Sequence, residues 1–391
     1  MYKRQEQSSN TYILENGMRV AVKRSELIEY FKYIIVAIRK DRWVANLFYR
    51  LADKNTRNGI QIFEDFCKSG HMKEKDILAM RVLGDDAQIP AYRFENVLLR
   101  KNRRFYNGDE SNFVNLFASD YNDDFPDPFV RADILNWLYQ VQALSGPTGD
   151  KGLFQVSELA RSLQVYGHSL AVIYRELAYL ARKNLVLCEN SAMPIEEGDL
   201  VKITIPGALH LQMLRNVSYL SACAEDTLFK NTEVMTRISN RLKFHESDSK
   251  LVVALNARDL VNYLIEYRKE YLTNSDELVS EKAIISSVDL NDSLHAVEQW
   301  IQADENLKKT ISEIDYFTVD MDVDACVVSK NSGGVVCTIA DKDVKGFISS
   351  LEPKYSFPYD VYSKIKPGDI LKCKVMEFDF THRSFQLKYL N

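Results

Sequence analysis

The segment Val344-Lys345-Gly346-Phe347-Ile348 lies at the centre of the stretch that decides the fold of this chain. It predicts a strand, and four more strands are predicted around it between residues 322 and 391. These are Asp324–Ser329, Val335–Ile339, Ile370–Asp379 and Ser384–Tyr389. Turns are predicted at Ser332-Gly333-Gly334 and at Lys366-Pro367-Gly368-Asp369. Five short strands with this punctuation predict a small closed barrel at residues 319–391.

The same stretch resembles the S1 RNA-binding domain, an OB-type barrel, over about 70 residues. The resemblance lies in the glycine pair before strand two, in Lys345-Gly346-Phe347-Ile348, in the Pro367-Gly368-Asp369 turn, and in Asp379 eight residues before Leu387. It implies a surface for RNA or single-stranded DNA, because OB barrels stack bases on aromatic rings and hold phosphates with cations.

The resemblance makes Phe347 the stacking residue of this surface. The candidate cations around it are Lys345, Lys372, Lys374, His382 and Arg383. The family usually also has an aromatic in strand two and often a His after strand three; here Val335 and the Ser349-Ser350 pair stand in those places. The alternative is a structural or protein-binding barrel with Phe347 in its wall.

Composition limits the class of protein. The chain has 391 residues, of which 46% are hydrophobic, and this predicts a globular protein of two to four domains. No apolar run is long enough for a membrane span, and a secretory segment is not predicted. Six cysteines and six histidines are dispersed, without a C-x-x-C pair, so we expect no metal site, no disulfide framework and a cytoplasmic location.

The net charge of −5 is unevenly distributed. Residues 1–110 hold 21 Lys/Arg and 15 Asp/Glu, whereas residues 111–322 hold 19 and 32, and residues 323–391 hold ten and eight. Because phosphate contacts need cations, we expect nucleic acid to meet the ends of the chain rather than its acidic middle.

A second pattern lies between Pro128 and Pro206. Helical apolar spacing over Phe129–Ala143 is followed by a Gly-Pro-Thr-Gly loop, a helix from Val156 to Leu163, and a helix from Ser169 to Lys183. Two strands, 184–187 and 200–205, would follow. Residues 125–206 thus resemble a winged helix-turn-helix domain.

In that family the second helix of the turn enters the major groove of DNA. The resemblance therefore implies an exposed face on this helix, with Ile173, Leu177 and Leu180 packed inward. The face would consist of Ser169, Val172, Tyr174, Arg175, Tyr179 and Arg182. The acidic wing tip at 196–199 would repel duplex DNA, so a protein-interaction or intramolecular docking role is the alternative.

The N-terminal part is predicted as a disordered or truncated start at 1–12, followed by a mainly helical region at 13–124 that is strand-like over Thr11–Val22. Leu51–Ile60, with Ile62 and Phe63, resembles the lid of AAA+ or STAND-type P-loop ATPases, in which an arginine at a helix start reaches the nucleotide; Arg57 holds that place. No G-x-x-x-x-G-K-[ST] motif occurs, so ATP and magnesium would need a core supplied upstream. We expect no enzyme activity from this chain.

Two further regions complete the prediction. The densest basic run contains Arg100, Lys101, Arg103 and Arg104 beside two aromatics; it suits a nucleic-acid backbone, or is a solvated helix end. Asp120–Asp127 is predicted as a surface linker. Neither glycine nor proline occurs between Gly207 and Gly333, which predicts a helical connector over 207–318.

The sequence thus predicts a multidomain, mainly α protein with a C-terminal five-stranded barrel. Its favoured function is nucleic-acid binding by the sensor and effector half of an AAA+/STAND-like ATPase, through the barrel and through a winged helix on duplex DNA. The alternative is a scaffold whose winged helix and barrel hold protein partners. A hydrolase is a weaker third hypothesis, because neither a catalytic triad nor a carboxylate pair stands out.

Overall fold

The computed structural model describes residues 9–13, 19–69, 82, 91–118, 127–190, 194–244, 249–272, 287–339, 344–351, 357 and 359–390. The chain forms two compact units, Met1–Met235 with Asn256–Val297 and Thr236–Leu255 with Glu298–Asn391. It is mainly helical with one closed barrel, as the sequence predicts. Residues 70–81 and 83–90 of the predicted helical region and most of the acidic linker, 120–126, lie outside the described residues.

The first unit begins with an antiparallel hairpin, where the sequence predicts a single strand-like segment. Its strands are β1 (Ser9–Ile13) and β2 (Arg19–Lys23). Among the described residues, four helices follow: α1 (Arg24–Lys40), α2 (Arg42–Leu51), α3 (Thr56–Lys68) and α4 (Ala91–Arg100). Asp41 and Asn55 cap α2 and α3 by accepting hydrogen bonds from two backbone N–H groups each, which explains where these helices begin.

Residues 130–203 form three helices and a small sheet close to the predicted bounds. The elements are α5 (Val130–Val141), β3 (Phe154–Gln155), α6 (Val156–Val165), α7 (Leu170–Arg182), β4 (Val186–Cys188) and β5 (Leu200–Ile203). The sheet is antiparallel with the order β3-β5-β4. Ile173, Leu177 and Leu180 of α7 are buried, as the apolar spacing predicts.

The described residues of the predicted connector are mainly helical. The apolar run Leu209–Leu220 is two helices, because Asn216 accepts a hydrogen bond from the Tyr219 backbone N–H and starts a new one. The connector helices are α8 (Ile205–Met213), α9 (Val217–Asp226), α10 (Thr232–Phe244), α11 (Lys250–Tyr267), a π-helix (Arg268–Leu272), α12 (Asn291–Gln302) and α13 (Glu305–Tyr316).

Two histidines of the first unit are core residues, which corrects the picture of dispersed, isolated histidines. His168 is buried between two carboxylates: Nδ1 lies 2.5 Å from Asp127 Oδ2 and Nε2 lies 3.0 Å from Asp133 Oδ2. Asp127 is therefore a partner of a buried histidine rather than part of a surface linker. His210 is fully buried, and its Nε2 accepts a hydrogen bond from the Val114 backbone N–H.

The C-terminal barrel has five strands and one short helix. They are β6 (Asp322–Asn331), β7 (Gly334–Ile339), β8 (Val344–Ser349), α14 (Tyr359–Lys364), β9 (Ile370–Asp379) and β10 (Ser384–Tyr389). The closed order is β10-β8-β7-β6-β9, with β10 parallel to β8 and antiparallel to β9. This arrangement fits an OB fold.

Alternation of side chains along the strands builds the barrel core. Val335, Ile348 and Leu387 are almost completely buried, as are the neighbouring inward positions. Gly334 has φ +153°, and a Cβ there would collide with the Ile348 carbonyl oxygen. A side chain at Gly346 would likewise run into Leu387, so both glycines of the predicted pattern allow close packing.

Two features are absent from the described residues. Among them, none of the helices combines the length and the apolar character that a membrane span requires. The same residues contain no group of three or more His, Cys, Asp or Glu side chains placed to hold a metal ion.

Candidate nucleic-acid interface

The outer face of the barrel carries a row of side chains across three strands. Val336 of β7 pairs with Phe347 of β8, which in turn pairs with Gln386 of β10. All three are partly exposed, whereas Val335 is fully buried. The strand-two position beside Phe347 is therefore Val336, which corrects the assignment of that place to Val335, because neighbouring strand residues point to opposite faces.

A groove of about 350 Å³ runs along this face. The residues lining it are Val336, Lys345, Gly346, Phe347, Asp379, His382, Ser384 and Gln386. Three predicted site residues, Phe347, Lys345 and His382, are thus brought together, with an aromatic ring and two basic side chains around one depression. Stacking of a base on the ring and contact of a phosphate with the basic groups are the interactions such a groove can make.

Asp379 organises the turn at one end of the groove. Its carboxylate accepts hydrogen bonds from the backbone N–H groups of Thr381 and His382, at 2.8 and 3.1 Å, and lies 2.8 Å from His382 Nδ1. Gln386 Nε2 donates a longer bond of 3.4 Å. Partial burial alone would raise the pKa of Asp379, but the hydrogen bonds from His382 and Thr381 outweigh it and lower the pKa.

Three predicted cations of the barrel do not line the groove. Lys372 lies on β9, where its Nζ is 2.7 Å from Asp324 Oδ1 of β6, and Lys374 is flanked by Asp320 and Asp322 at about 4 Å. Barrel closure places β9 against β6, so these two lysines face carboxylates instead of Phe347. Arg383 is exposed with φ +50° in the turn beside His382.

The outer side of α7 is partly covered by a loop of the same unit. Tyr179 Oη donates a 2.6 Å hydrogen bond to Asp109 Oδ1, and Lys183 Nζ donates to the Asp109 carbonyl oxygen at 2.5 Å. Arg175 Nε donates to Glu176 Oε1 at 3.1 Å. Tyr179 and Arg175 are therefore engaged within the protein, which corrects the prediction of a free face.

The remaining residues of that predicted face differ in exposure. Ser169 and Arg182 are exposed, Val172 and Tyr174 are half-buried, and the Tyr174 hydroxyl is a buried atom without a hydrogen-bond partner among the described residues. Next to them, the Arg131 guanidinium lies 3.9 Å from the centre of the Tyr179 ring and its Nε donates to buried Glu176 at 2.6 Å. The helix is thus fixed from its inner side by a buried charge pair.

The basic run ending α4 is only partly a surface feature. Arg100 is buried and forms an ion pair with buried Glu225, so it is not available to a ligand, contrary to the prediction. Lys101 Nζ lies 3.1 Å from Asp65, and Arg103 pairs with Glu110 on the surface. Arg104 is exposed, with its guanidinium 5.0 Å from the centre of the Phe105 ring. A basic run in the sequence does not indicate which of its residues form ion pairs with acidic residues of distant helices.

Arg57 is exposed at the first turn of α3, and its backbone N–H donates to Asn55 Oδ1 at 2.9 Å. The predicted helix start is confirmed, whereas the nucleotide role of Arg57 stays a prediction. The groove residues missed from the sequence are Val336, Asp379, Ser384 and Gln386. Alternation along β10 places Ser384 and Gln386 on one face, but only the register between strands brings them to Phe347.

Comparisons with known proteins give a weak signal. No protein-family model and no curated protein matches the chain. Solved structures similar to it include two of Mycoplasma genitalium RNase R, an apo form and a complex with ribose methylated single-stranded RNA. Their identities are 12% and 14%, each with a TM-score of 0.18, covering 67% of this chain and 40% of theirs.

A multidomain protein with nucleic acid binding domains from Streptococcus pneumoniae TIGR4 is also similar, at 15% identity and a TM-score of 0.16. That match covers 20% of this chain and 28% of the other. The chain therefore spans less than half the length of each of these proteins. TM-scores this low do not establish a common global fold, and identity at this level identifies no activity.

Proposed function

We propose that this protein binds single-stranded nucleic acid, RNA or DNA, through the outer groove of its C-terminal barrel. The observation that carries the proposal is the meeting of Phe347, Lys345 and His382 in one groove on β7, β8 and β10. In OB-type barrels the face formed by strands two and three is the one that receives oligonucleotides. The resemblance to the S1 domain supports the same surface and favours RNA.

Fluorescence anisotropy of the full chain with a short labelled oligonucleotide tests this proposal. Each stacked base contributes about 1–3 kcal/mol, so Phe347→Ala should weaken binding roughly tenfold or more. Lys345→Ala should weaken binding and reduce its salt dependence, because one phosphate contact is lost. Lys372→Ala is the matched control, since this lysine lies on β9 outside the groove and pairs with Asp324. Binding that is undetectable at low salt, or unaffected by Phe347→Ala, contradicts the proposal.

For residues 125–206 we propose a winged-helix architecture that serves docking within the protein or to a protein partner. The engagement of Tyr179 and Lys183 by Asp109 supports docking over insertion of α7 into duplex DNA. Arg182 remains exposed on this helix. An electrophoretic shift of duplex DNA that disappears in the Arg175→Glu/Arg182→Glu double variant would instead favour the DNA-binding alternative.

We retain as a proposal that the N-terminal helices resemble an ATPase lid and that this chain alone does not turn over ATP. The support is the position of Arg57 at a helix start together with the lack of a phosphate-binding loop motif in the sequence. A phosphate-release assay on the purified chain checks it. ATP turnover abolished by a point substitution in this chain would contradict it.

A further inference from the structure

The groove on the barrel has two chemically different halves. Phe347, Val336 and Gln386 form one cross-strand row, and Lys345 lies two residues before Phe347 on β8. Two residues along a strand span about 6.6 Å, comparable to the separation between a base and its own phosphate. Ser384, two residues before Gln386, belongs to the same end as Lys345. The aromatic half therefore suits a base and the other half suits its phosphate.

The orientation of His382 at the basic end is set by Asp379. Nδ1 lies 2.8 Å from Asp379 Oδ2, and the two backbone N–H bonds described above hold the carboxylate in place. An ionised carboxylate only accepts hydrogen bonds, so Nδ1 must carry the proton. Nε2 is the atom left for a ligand, on a side chain that is 76% exposed.

We propose that Lys345, Ser384 and His382 form the phosphate subsite for the nucleotide whose base stacks on Phe347, with Asp379 as the positioning residue that orients His382. This inference rests on the proposed function and adds a direction to it: the base lies towards Gln386 and the phosphate towards the turn at 380–383. It also assigns a role to Asp379, whose negative charge would otherwise repel a phosphate. Four N–H groups donate hydrogen bonds to that carboxylate, and one of them is Nδ1–H of His382. The carboxylate therefore orients the His382 ring.

The subsite makes binding depend on pH. When the imidazole is neutral, the proton on Nδ1 leaves Nε2 as an acceptor, which cannot bond to a phosphate oxygen; when it is protonated, Nε2 donates a charge-assisted bond. Besides Asp379, the charged residues on the elements around His382 are Glu377 on β9, Lys345 on β8 and Arg383 in the turn. Histidine changes charge between about pH 5 and 8, so affinity should rise as pH falls through this range.

Anisotropy titrations of the full chain across about pH 5.5 to 8.5, the range in which histidines titrate, test the subsite. The probe is an oligouridylate of roughly 12 nucleotides, within the site size of an OB barrel. Uridine has no group whose pKa lies inside this range. We expect the affinity of the unchanged protein to fall roughly fivefold or more from the acid to the alkaline end.

The variants separate the roles of the residues. His382→Gln should remove the pH response, and Asp379→Asn should weaken binding because His382 loses the carboxylate that orients its ring. Phe347→Ala should weaken binding at every pH but keep the ratio between the two ends. His295→Gln, which changes an exposed histidine on α12, is the matched control and should keep the full response.

The outcomes distinguish the two proposals. Absence of binding at every pH and low salt contradicts the proposed function itself. Binding that is sensitive to Phe347→Ala but independent of pH, or a pH response that survives His382→Gln, leaves the function in place and overturns the phosphate subsite.

Discussion

The barrel groove and the outer side of α7 both carry aromatic and basic residues that the sequence predicts to bind nucleic acid. The two surfaces differ in what these side chains contact in the folded protein. In the groove, Phe347, Lys345 and His382 face one accessible depression. On α7, Tyr179 is held by Asp109 and Arg175 by Glu176. The same residue types thus line an accessible groove in one region and make contacts within the protein in the other.

The difference shows that charge partners decide the role of a basic residue. Lys345 lies in the groove, whereas Lys372 on the same barrel faces Asp324, and Arg100 is buried against Glu225. Ionisable groups of the first unit should therefore affect the free energy of unfolding, whereas those in the groove should affect the affinity for nucleic acid.

The largest effect is expected from Glu176→Gln. Removing one charge of a buried ion pair leaves Arg131 uncompensated, and such changes cost about 3–5 kcal/mol of unfolding free energy. Thermal or urea unfolding followed by tryptophan fluorescence, to which Trp43, Trp137 and Trp300 contribute, measures it. The matched control is Glu189→Gln, an exposed position that should change little. A loss below about 1 kcal/mol would mean that this pair does not fix α7.

The second prediction concerns pH and the buried histidines. Burial lowers the pKa of His168, but hydrogen bonds and charges from Asp127 and Asp133 outweigh it and raise the pKa from 6.5 to about 10. Burial lowers the pKa of His210 from 6.5 to about 4, opposed by its bond to the Pro206 carbonyl. These two residues should therefore give opposite slopes of stability against pH.

The signs follow from proton uptake. Between pH 6.5 and 10 the folded state keeps the proton of His168 that the unfolded state has lost, so stability falls as pH rises. Between pH 6.5 and 4 the unfolded state takes up a proton that buried His210 refuses, so stability falls as pH drops.

Each slope of unfolding free energy against pH approaches about 1.4 kcal/mol per pH unit. The free energy of unfolding should therefore fall by roughly 2 kcal/mol within about 1.5 pH units above or below the ordinary histidine pKa. Melting temperatures measured across this range check it. His168→Gln should remove the alkaline slope, whereas His382→Gln, which affects an exposed side chain, should leave both slopes in place. A stability profile without an alkaline decline would contradict the charged state assigned to His168.

The smallest effect is expected from Asp109→Ala. The Tyr179 hydroxyl loses its acceptor, while the backbone oxygen of residue 109 still accepts a hydrogen bond from Lys183. The loss of unfolding free energy should therefore be about 1 kcal/mol. Asp109→Asn keeps an acceptor and should be nearly neutral. Single-strand binding should be unchanged in both variants. New duplex binding by Asp109→Ala would show that the loop reversibly covers a DNA-binding face.

Local patterns predicted much of the fold. The bounds of β9 and β10 agree with the sequence, and α7 differs from its predicted range by one residue at each end. Strand alternation and helical spacing are short-range properties, so they can be read without knowing the partners of a segment. The boundary between α8 and α9 does not show in the apolar pattern of Leu209–Leu220, because that pattern continues through the N-cap at Asn216.

By itself, the sequence determined the element types, the strand order along the chain and the choice of Phe347 as the central aromatic of the barrel, because each depends on neighbours within a few residues. Only the tertiary structure decided which cations share a surface with that ring. The pairing of β8 with β10 places Gln386 beside Phe347. The pairing of β9 with β6 places Lys372 and Lys374 near carboxylates, away from that ring. Such partners come from residues far apart in the chain, and long-range register and charge pairing are not encoded in any local pattern.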